Sequence, residues 1–218
     1  MAETEMFDVF NEQMEKVGVE TRGNVHLKGL WHQTFHCWVI QKSKEEIYLL
    51  LQLRHKDKDT YPNMLDISAA GHLLTGETLE DGVRELEEEL GISVKFNELS
   101  YCGMVAQENI ISTNLIDREY NHVFIYESNL PIDQYHFQID EISGLYLVKY
   151  NDFKKLVLRD VGQVKVEGIV RDEASQKNVY DERNVRVDDI TPNSNAYYEL
   201  LFNCIEMHYF KGVNKRHV

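Results

Sequence analysis

The chain has 218 residues, 43% of them hydrophobic and 11% aromatic, which is enough apolar material for a sizeable core and excludes a disordered chain. Acids outnumber bases 37 to 23, for a formal charge of −14, so a broad electrostatic grip on a nucleic acid polymer is excluded. Anionic small molecules remain accessible to such a chain where a metal ion or a local Arg/Lys pair intervenes.

In chain order, residues 1–24 read as a helix or irregular arm ending at the turn-like Arg22-Gly23-Asn24. Leu30 to Ile40 is rich in aromatic and β-branched residues and predicts a strand. Ile47 to Leu53 is a short apolar run that predicts a buried strand. A charged loop closed by Pro62 follows, then a strand-like piece that opens into a Gly-punctuated loop. Thr78 to Leu90 predicts a helix, with Leu79, Val83, Leu86 and Leu90 on one stripe, Thr78 as N-cap and Gly91 as the stop. Strands are predicted over Leu99–Gln107, His122–Glu127 and Gly144–Lys149, and a short helix over Asp152–Leu158. Alternation over Val164–Val170 and Asn184–Ile190 predicts a small antiparallel β insertion. A last helix is predicted over about Ser194–Phe210. No linker or repeat interrupts the chain, so a single α/β domain spanning 1–218 is expected: an arm over 1–29, a core over 30–158, and an insertion plus helix over 159–218.

Cys37, Cys102 and Cys204 are too few and too widely spaced for a disulfide framework or a zinc pattern. The N-terminal stretch has no secretory apolar core, and no run approaches the ~18 apolar residues of a membrane span. A reduced, soluble, cytoplasmic protein with no membrane partner is expected.

The predicted 78–90 helix carries an anomaly on its polar face. Residues 77–89 hold seven acids against one base, Arg84. Glu85, Glu88 and Glu89 stand at i, i+3 and i+4, so their carboxylates converge. Like charges at that spacing weaken an isolated helix by about 0.2–0.5 kcal/mol per pair. A solvated acidic face is the plain explanation, and a Mg²⁺ or Mn²⁺ site is the functional one, because hard cations favour clustered carboxylate oxygens.

The surrounding spacing decides between them. Gly71, Glu77, Arg84, Glu85, Leu86, Glu88, Glu89, Gly91 and Ile92 resemble the Nudix box, G-x5-E-x7-R-E-U-x-E-E-x-G-U with U a bulky aliphatic residue. One departure stands out: six residues separate Glu77 from Arg84, where the pattern has seven. The resemblance implies an α+β Nudix fold, a mixed sheet sandwiched between helices. It also implies Mg²⁺ or Mn²⁺ held by Glu85, Glu88, Glu89 and the backbone carbonyl near Gly71, with Arg84 orienting the glutamates and Glu77 supporting the loop. The implied reaction is attack of water on phosphorus in a nucleoside diphosphate-linked or other small-molecule organic diphosphate.

Over roughly residues 5–158 the chain looks like the branch containing type I isopentenyl-diphosphate isomerases and related hydrolases. There, upstream histidines, the histidine of a C-G-H segment and the acids of an E-x-E segment hold a metal. His26, His32, His72, Asp117 and Glu119 stand in the corresponding places. The C-G-H cysteine, which transfers a proton in the isomerases, is Ala70 here. A methyl group is neither acid nor base, which favours a hydrolase over an isomerase. A diphosphate-binding sensor without catalysis is the third reading. Arg54 and Lys58 are candidates for phosphate contact, and Glu88, Glu119 and Glu141 for the acid–base work alongside Arg84. His36 is given no role. The 159–218 segment would cap the site, dimerise the chain or pack passively.

Overall fold

Two adjacent strands are apolar on both faces, and the sheet is built around them. In β3 (Trp31–Ser43), Trp38 and Ile40 enter one core, while Phe35, Cys37 and Val39 enter another. In β4 (Glu46–Arg54), Leu49, Leu51 and Leu53 enter the first and Leu50 the second. A strand buried on both sides reads as a continuous apolar run instead of an alternation, which is the signature of Ile47 to Leu53. The computed structural model describes residues 4–43 and 46–210; residues 1–3, 44–45 and 211–218 lie outside it.

The other strands are β1 (Met6–Phe10), β2 (Lys16–Thr21), β5 (Leu65–Asp66), β6 (Ala69–His72), β7 (Ser100–Ser112), β8 (Leu115–Glu127), β9 (Ile142–Lys149), β10 (Val164–Asp172) and β11 (Lys177–Val185). Their main order is β11-β10-β9-β4-β3-β1-β2. Strand β8 runs parallel to β3 from the Trp31–Arg118 pair to the Ile40–Glu127 pair, and β6 lies antiparallel on β3. Helices α3 (Tyr150–Val157) and α4 (Asn195–Tyr209) cover the first core, and α2 (Arg84–Leu90) covers the second. This is the α+β arrangement, a mixed sheet between helical layers, that the box resemblance implies. No helix among the described residues is long and apolar enough to cross a membrane.

Four expectations are corrected. The N-terminal arm is a β1–β2 hairpin followed by α1 (Arg22–Lys28), capped by the Thr21 side chain. Phe7 and Val9 alternate inward there and are buried, a period-2 signal masked by the flanking acids. The 78–90 helix is regular only from Arg84, after a 3-10 turn at Asp81–Val83. Thr78 does not cap it: both the Thr78 N–H and its hydroxyl donate to Asp81 Oδ2, closing a turn. Gly82 rides on Phe35, where a Cβ would come within 2.8 Å of the ring, so the chain tightens before the helix begins. Strand β11 ends at Val185, not near Ile190, because Val187–Asp189 closes as another 3-10 turn. Polar edge positions hide its ladder with β10.

The fourth correction concerns the cysteines. Cys102 on β7 and Cys204 on α4 are disulfide-bonded across a sequence separation of 102, and Cys37 is free and buried. No local spacing announces such a pair; tertiary packing of α4 against β7 brings it together. Reducing the bond, or making Cys204→Ser, is expected to lower unfolding stability by about 2–4 kcal/mol, since a long loop is released in the unfolded chain. Guanidinium unfolding of the oxidised and reduced forms measures this, and identical midpoints would refute it.

Candidate functional site

The site is organised around four residues of β6. Gly71 pairs with Phe35, while Ala70 and His72 pair with His36 and Thr34. Side chains alternate along a strand, so residue 71 faces α2, and Ala70 and His72 face the α4 side. Ala69 lies in the α2 core and Ala70 against the α4 core, in keeping with that alternation.

On the α2 face, the absence of a side chain at Gly71 is a geometric requirement. A Cβ there would lie 2.1 Å from the Glu85 carboxyl carbon. Glu85 therefore rests directly against the backbone of β6. One turn along α2, Glu89 Oε2 accepts from the Ala70 N–H at 3.0 Å and from Gln52 Nε2 at 3.4 Å. Glu88 projects outward, with its side chain 55% exposed. Gly91, at φ 69°, closes the helix in the left-handed region that suits glycine. Burial raises the Glu85 carboxyl to about 7 and the Glu89 carboxyl well above the ordinary range; the charge of Glu141 adds to both.

Arg84 ties this helix to the preceding loop. Its Nε and Nη2 donate to Glu77, its Nη1 to Glu88 at 3.1 Å, and its Nη2 also to the His72 carbonyl at 2.9 Å. Nη1 lies 2.5 Å from Glu85 Oε1. Glu77 in turn accepts from the Leu74 N–H at 2.8 Å. The turn between Glu77 and Arg84, one residue short of the box pattern, thus still brings the two side chains into an ion pair.

The opposite face gathers the histidines. His26, His32 and His72 each offer a ring nitrogen, and these atoms lie within 4.8 Å of one another. His26 Nδ1 is 2.8 Å from the Arg22 carbonyl, and His32 Nδ1 is 3.0 Å from the Leu30 carbonyl. A carbonyl only accepts, so both Nδ1 atoms carry the proton, and the Nε2 of the buried, neutral His32 presents a lone pair. Burial holds His32 at about 4 and His72 well below its ordinary value, so both are neutral. The Nε2 atoms of His32 and His72 are buried without a hydrogen-bond partner among the described residues. Glu119 Oε1 stands 3.8 Å from the first and 3.6 Å from the second, and Asp117 Oδ1 stands 3.2 Å from His26 Nε2. Oriented neutral imidazoles with acids beside them are the donor set a divalent cation takes.

The remaining expected residues have protein partners. Arg54 pairs with Asp66 at 2.8 Å and donates to Thr60, and Lys58 pairs with Glu141 at 3.0 Å. Several participants had no signal in the sequence. Asp66 accepts from Arg54, from the Thr191 hydroxyl at 2.6 Å and from the Ile67 N–H. Phe7 stacks on His72 and His32 with ring centroids 4.7 and 5.5 Å apart, so β1 forms a wall of the histidine cluster. His36 hydrogen-bonds the Tyr197 hydroxyl at 3.0 Å, which also accepts from Trp38 Nε1.

These burials make stability depend on pH. Burial raises Glu119 to about 8, and with Glu85 and Glu89 it holds protons in the folded chain that the unfolded chain has lost. Where the folded state binds more protons, stability falls as pH rises. The depressed histidines act oppositely, but mainly below their ordinary value of 6.5. Cation-free protein is therefore expected to lose stability between pH 7 and 8, by up to about 1.4 kcal/mol per pH unit for each carboxyl still protonated. Saturating Mg²⁺ or Mn²⁺ should flatten that slope. Denaturation midpoints in chelator and in cation test this, and stability that rises over the window in chelator would contradict it.

The NUDIX domain family model matches residues 30–165. The chain is similar to a Nudix hydrolase of Clostridium acetobutylicum, 38% identical over 203 residues that span 93% of this chain and 98% of the relative. It is 33% identical over 110 residues to isopentenyl-diphosphate Delta-isomerase 2 of Photorhabdus laumondii, which covers 50% of this chain and 59% of that one. The crystal structure of DR0079 from Deinococcus radiodurans shares the fold, with a TM-score of 0.54 at 21% identity over 92% of this chain and 99% of that one. With the box geometry in place around Gly71 and Arg84, the chain belongs to the Nudix hydrolase family.

Proposed function

We propose that the protein is a divalent-metal-dependent hydrolase of small organic diphosphates. The observation that carries the reading is the seat of the glutamates: Glu85 against the bare backbone of Gly71, Glu89 on the Ala70 N–H, and Glu88 projecting outward beside Arg84. Glu85, Glu88, Glu89 and the Gly71 carbonyl would hold Mg²⁺ or Mn²⁺. His26, His32, His72, Asp117 and Glu119 would hold a second divalent ion, of the kind that imidazole nitrogens suit. Bound cations supply neutralisation of phosphate charge, orientation of the diphosphate and a lowered pKa for bound water.

The chain's own residues provide the rest. Arg84 fixes the orientation of Glu88 and Glu85 through its fork of donors. Arg54 and Lys58, paired to Asp66 and Glu141, would exchange part of that pairing for phosphate oxygens. Glu141, whose charge reaches Glu85 and Glu89, and Glu119 are the candidates to take the proton from the attacking water. The water oxygen bonds to phosphorus, the bridging P–O bond breaks, and two phosphate products leave. An isomerase would need a proton donor where this chain has the Ala70 methyl, and that favours hydrolysis.

Hydrolysis with Mg²⁺ or Mn²⁺ of a panel of nucleoside diphosphates, dinucleoside polyphosphates, ADP-ribose and prenyl diphosphates, read by separating the two phosphate-bearing products, tests the reading. Glu88→Gln and Glu89→Gln should each reduce it by about a hundredfold or more, the scale of removing one group that stabilises transition-state charge. Full activity in both variants would overturn the proposal. Conversion of labelled isopentenyl diphosphate to dimethylallyl diphosphate would replace it with isomerisation.

A further inference from the structure

Asn121 is a buried group on the histidine face that the proposed chemistry does not use. It lies on β8, two residues beyond Glu119, and its side chain is fully buried. In the ladder between β3 and β8, Asn121 stands beside Thr34 just as Glu119 stands beside His32. Thr34 pairs on its other side with His72. Paired positions share a face, so Asn121 sits one ladder step, about 6–7 Å, beyond the acid of the histidine cluster.

The Thr34 hydroxyl donates to Asn121 Oδ1 at 2.6 Å, which fixes the carboxamide and leaves Nδ2 as the free end. Nδ2 is buried and has no hydrogen-bond partner among the described residues. Such groups are rare, because an unpaired buried N–H forfeits its hydration without return. The next residue of β8 on this face, Val123, is apolar and packs in the core. An amide retained only for volume would have been served equally well by such a side chain. Further along the same face of β3, His36 and Trp38 Nε1 both find a partner in the Tyr197 hydroxyl, whereas Asn121 Nδ2 finds none among the described residues.

We infer that Asn121 is a specificity-determining residue, whose Nδ2–H donates to an oxygen on the organic group of the diphosphate. The substrate class is then a diphosphate ester whose organic group carries hydroxyl or ether oxygens close to the phosphates, as a sugar or nucleoside does. An alkyl or prenyl chain would cover the amide and leave it unpaired, and sites built for a hydrogen bond reject analogues that lack the partner. This inference rests on the reading of the site as a diphosphate hydrolase.

The test compares wild type with Asn121→Leu, similar in volume, and with Asn121→Asp, which keeps the shape and the Thr34 contact. ADP-ribose and isopentenyl diphosphate serve as the paired substrates. Wild type should favour ADP-ribose in kcat/KM by at least about tenfold, the scale of one unpaired buried polar group. Either variant that folds should lose most of that preference through ADP-ribose alone, with isopentenyl diphosphate turnover unchanged or raised. A second readout needs no turnover: the Asn121 side-chain amide resonance, assigned by its absence in Asn121→Leu, should shift when α,β-methylene-ADP and Mg²⁺ are added. Hydrolysis with the same ranking in wild type and variants overturns the inference and leaves the hydrolase reading standing. An amide shift without hydrolysis of any compound overturns the hydrolase reading and, with it, a role for Asn121 in substrate specificity. Neither hydrolysis nor shift overturns both.

Discussion

The Glu85 carboxyl occupies the space that a side chain at residue 71 would fill, and much of the site follows from that contact. It brings α2 down onto β6 closely enough for Glu89 to take the Ala70 N–H and for Arg84 to reach the His72 carbonyl. Backbone groups of three successive β6 residues are thereby engaged from the α2 side. The same four-residue strand turns His72 to the opposite face, where it meets His26 and His32. Two candidate cation sites are thus held in fixed relation by one short strand. Any displacement of α2 would be felt by both.

The histidine face depends on parts of the chain that lie far from the box. Helix α1 supplies His26, and its Arg22 carbonyl sets the tautomer. Strand β1 supplies Phe7, whose ring covers His72 and His32. At the other end of the chain, the Thr191 hydroxyl reaches Asp66, and the Ser194 N–H and Pro192 carbonyl meet Gln107. Tyr197 then joins α4 to His36 and Trp38. These terminal segments line the sheet face that carries the histidines, so the arm and the last helix do more than pack against the core.

What could be read from the sequence divides along physical lines. The box was legible because its chemistry is local: i, i+3 and i+4 carboxylates, a glycine and an arginine at fixed offsets all fall within about two dozen residues. Strands β3 and β4 were legible because burial on both faces leaves an apolar run. Asp66 was not legible, since its partners Arg54 and Thr191 come from separate parts of the fold and no spacing links them. The Cys102–Cys204 bond was hidden for the same reason. The β1–β2 hairpin was misread because acids on its exposed face resemble those of an amphipathic helix. Its two-residue alternation is carried by only Phe7 and Val9. The helix start was misplaced because an apolar stripe at helical spacing also fits a turn followed by a helix, and Gly82 against Phe35 settles which of these forms.

The chain's acidity has a structural meaning beyond its total. Burial and the charges of neighbouring acids push Glu85, Glu89 and Glu119 up, with Asp66 acting on both Glu89 and Glu119. Several carboxyls crowded into low-dielectric surroundings with few cationic partners oppose folding, because each disfavours ionisation of the next. The nearby cations do not offset this: Arg84 is shared among three glutamates, and Arg54 is bound to Asp66. An arrangement selected for stability alone would disperse these acids or interleave them with lysine, as the exposed β10–β11 hairpin does with Lys165 between Glu167 and Glu182. Persistent crowding of acids around a bare glycine and unprotonated imidazole nitrogens is the arrangement expected where positive charge arrives with a ligand. The same logic extends to Asn121, whose unpaired amide is unfavourable in the free protein and becomes satisfied once an oxygen-bearing organic group is bound.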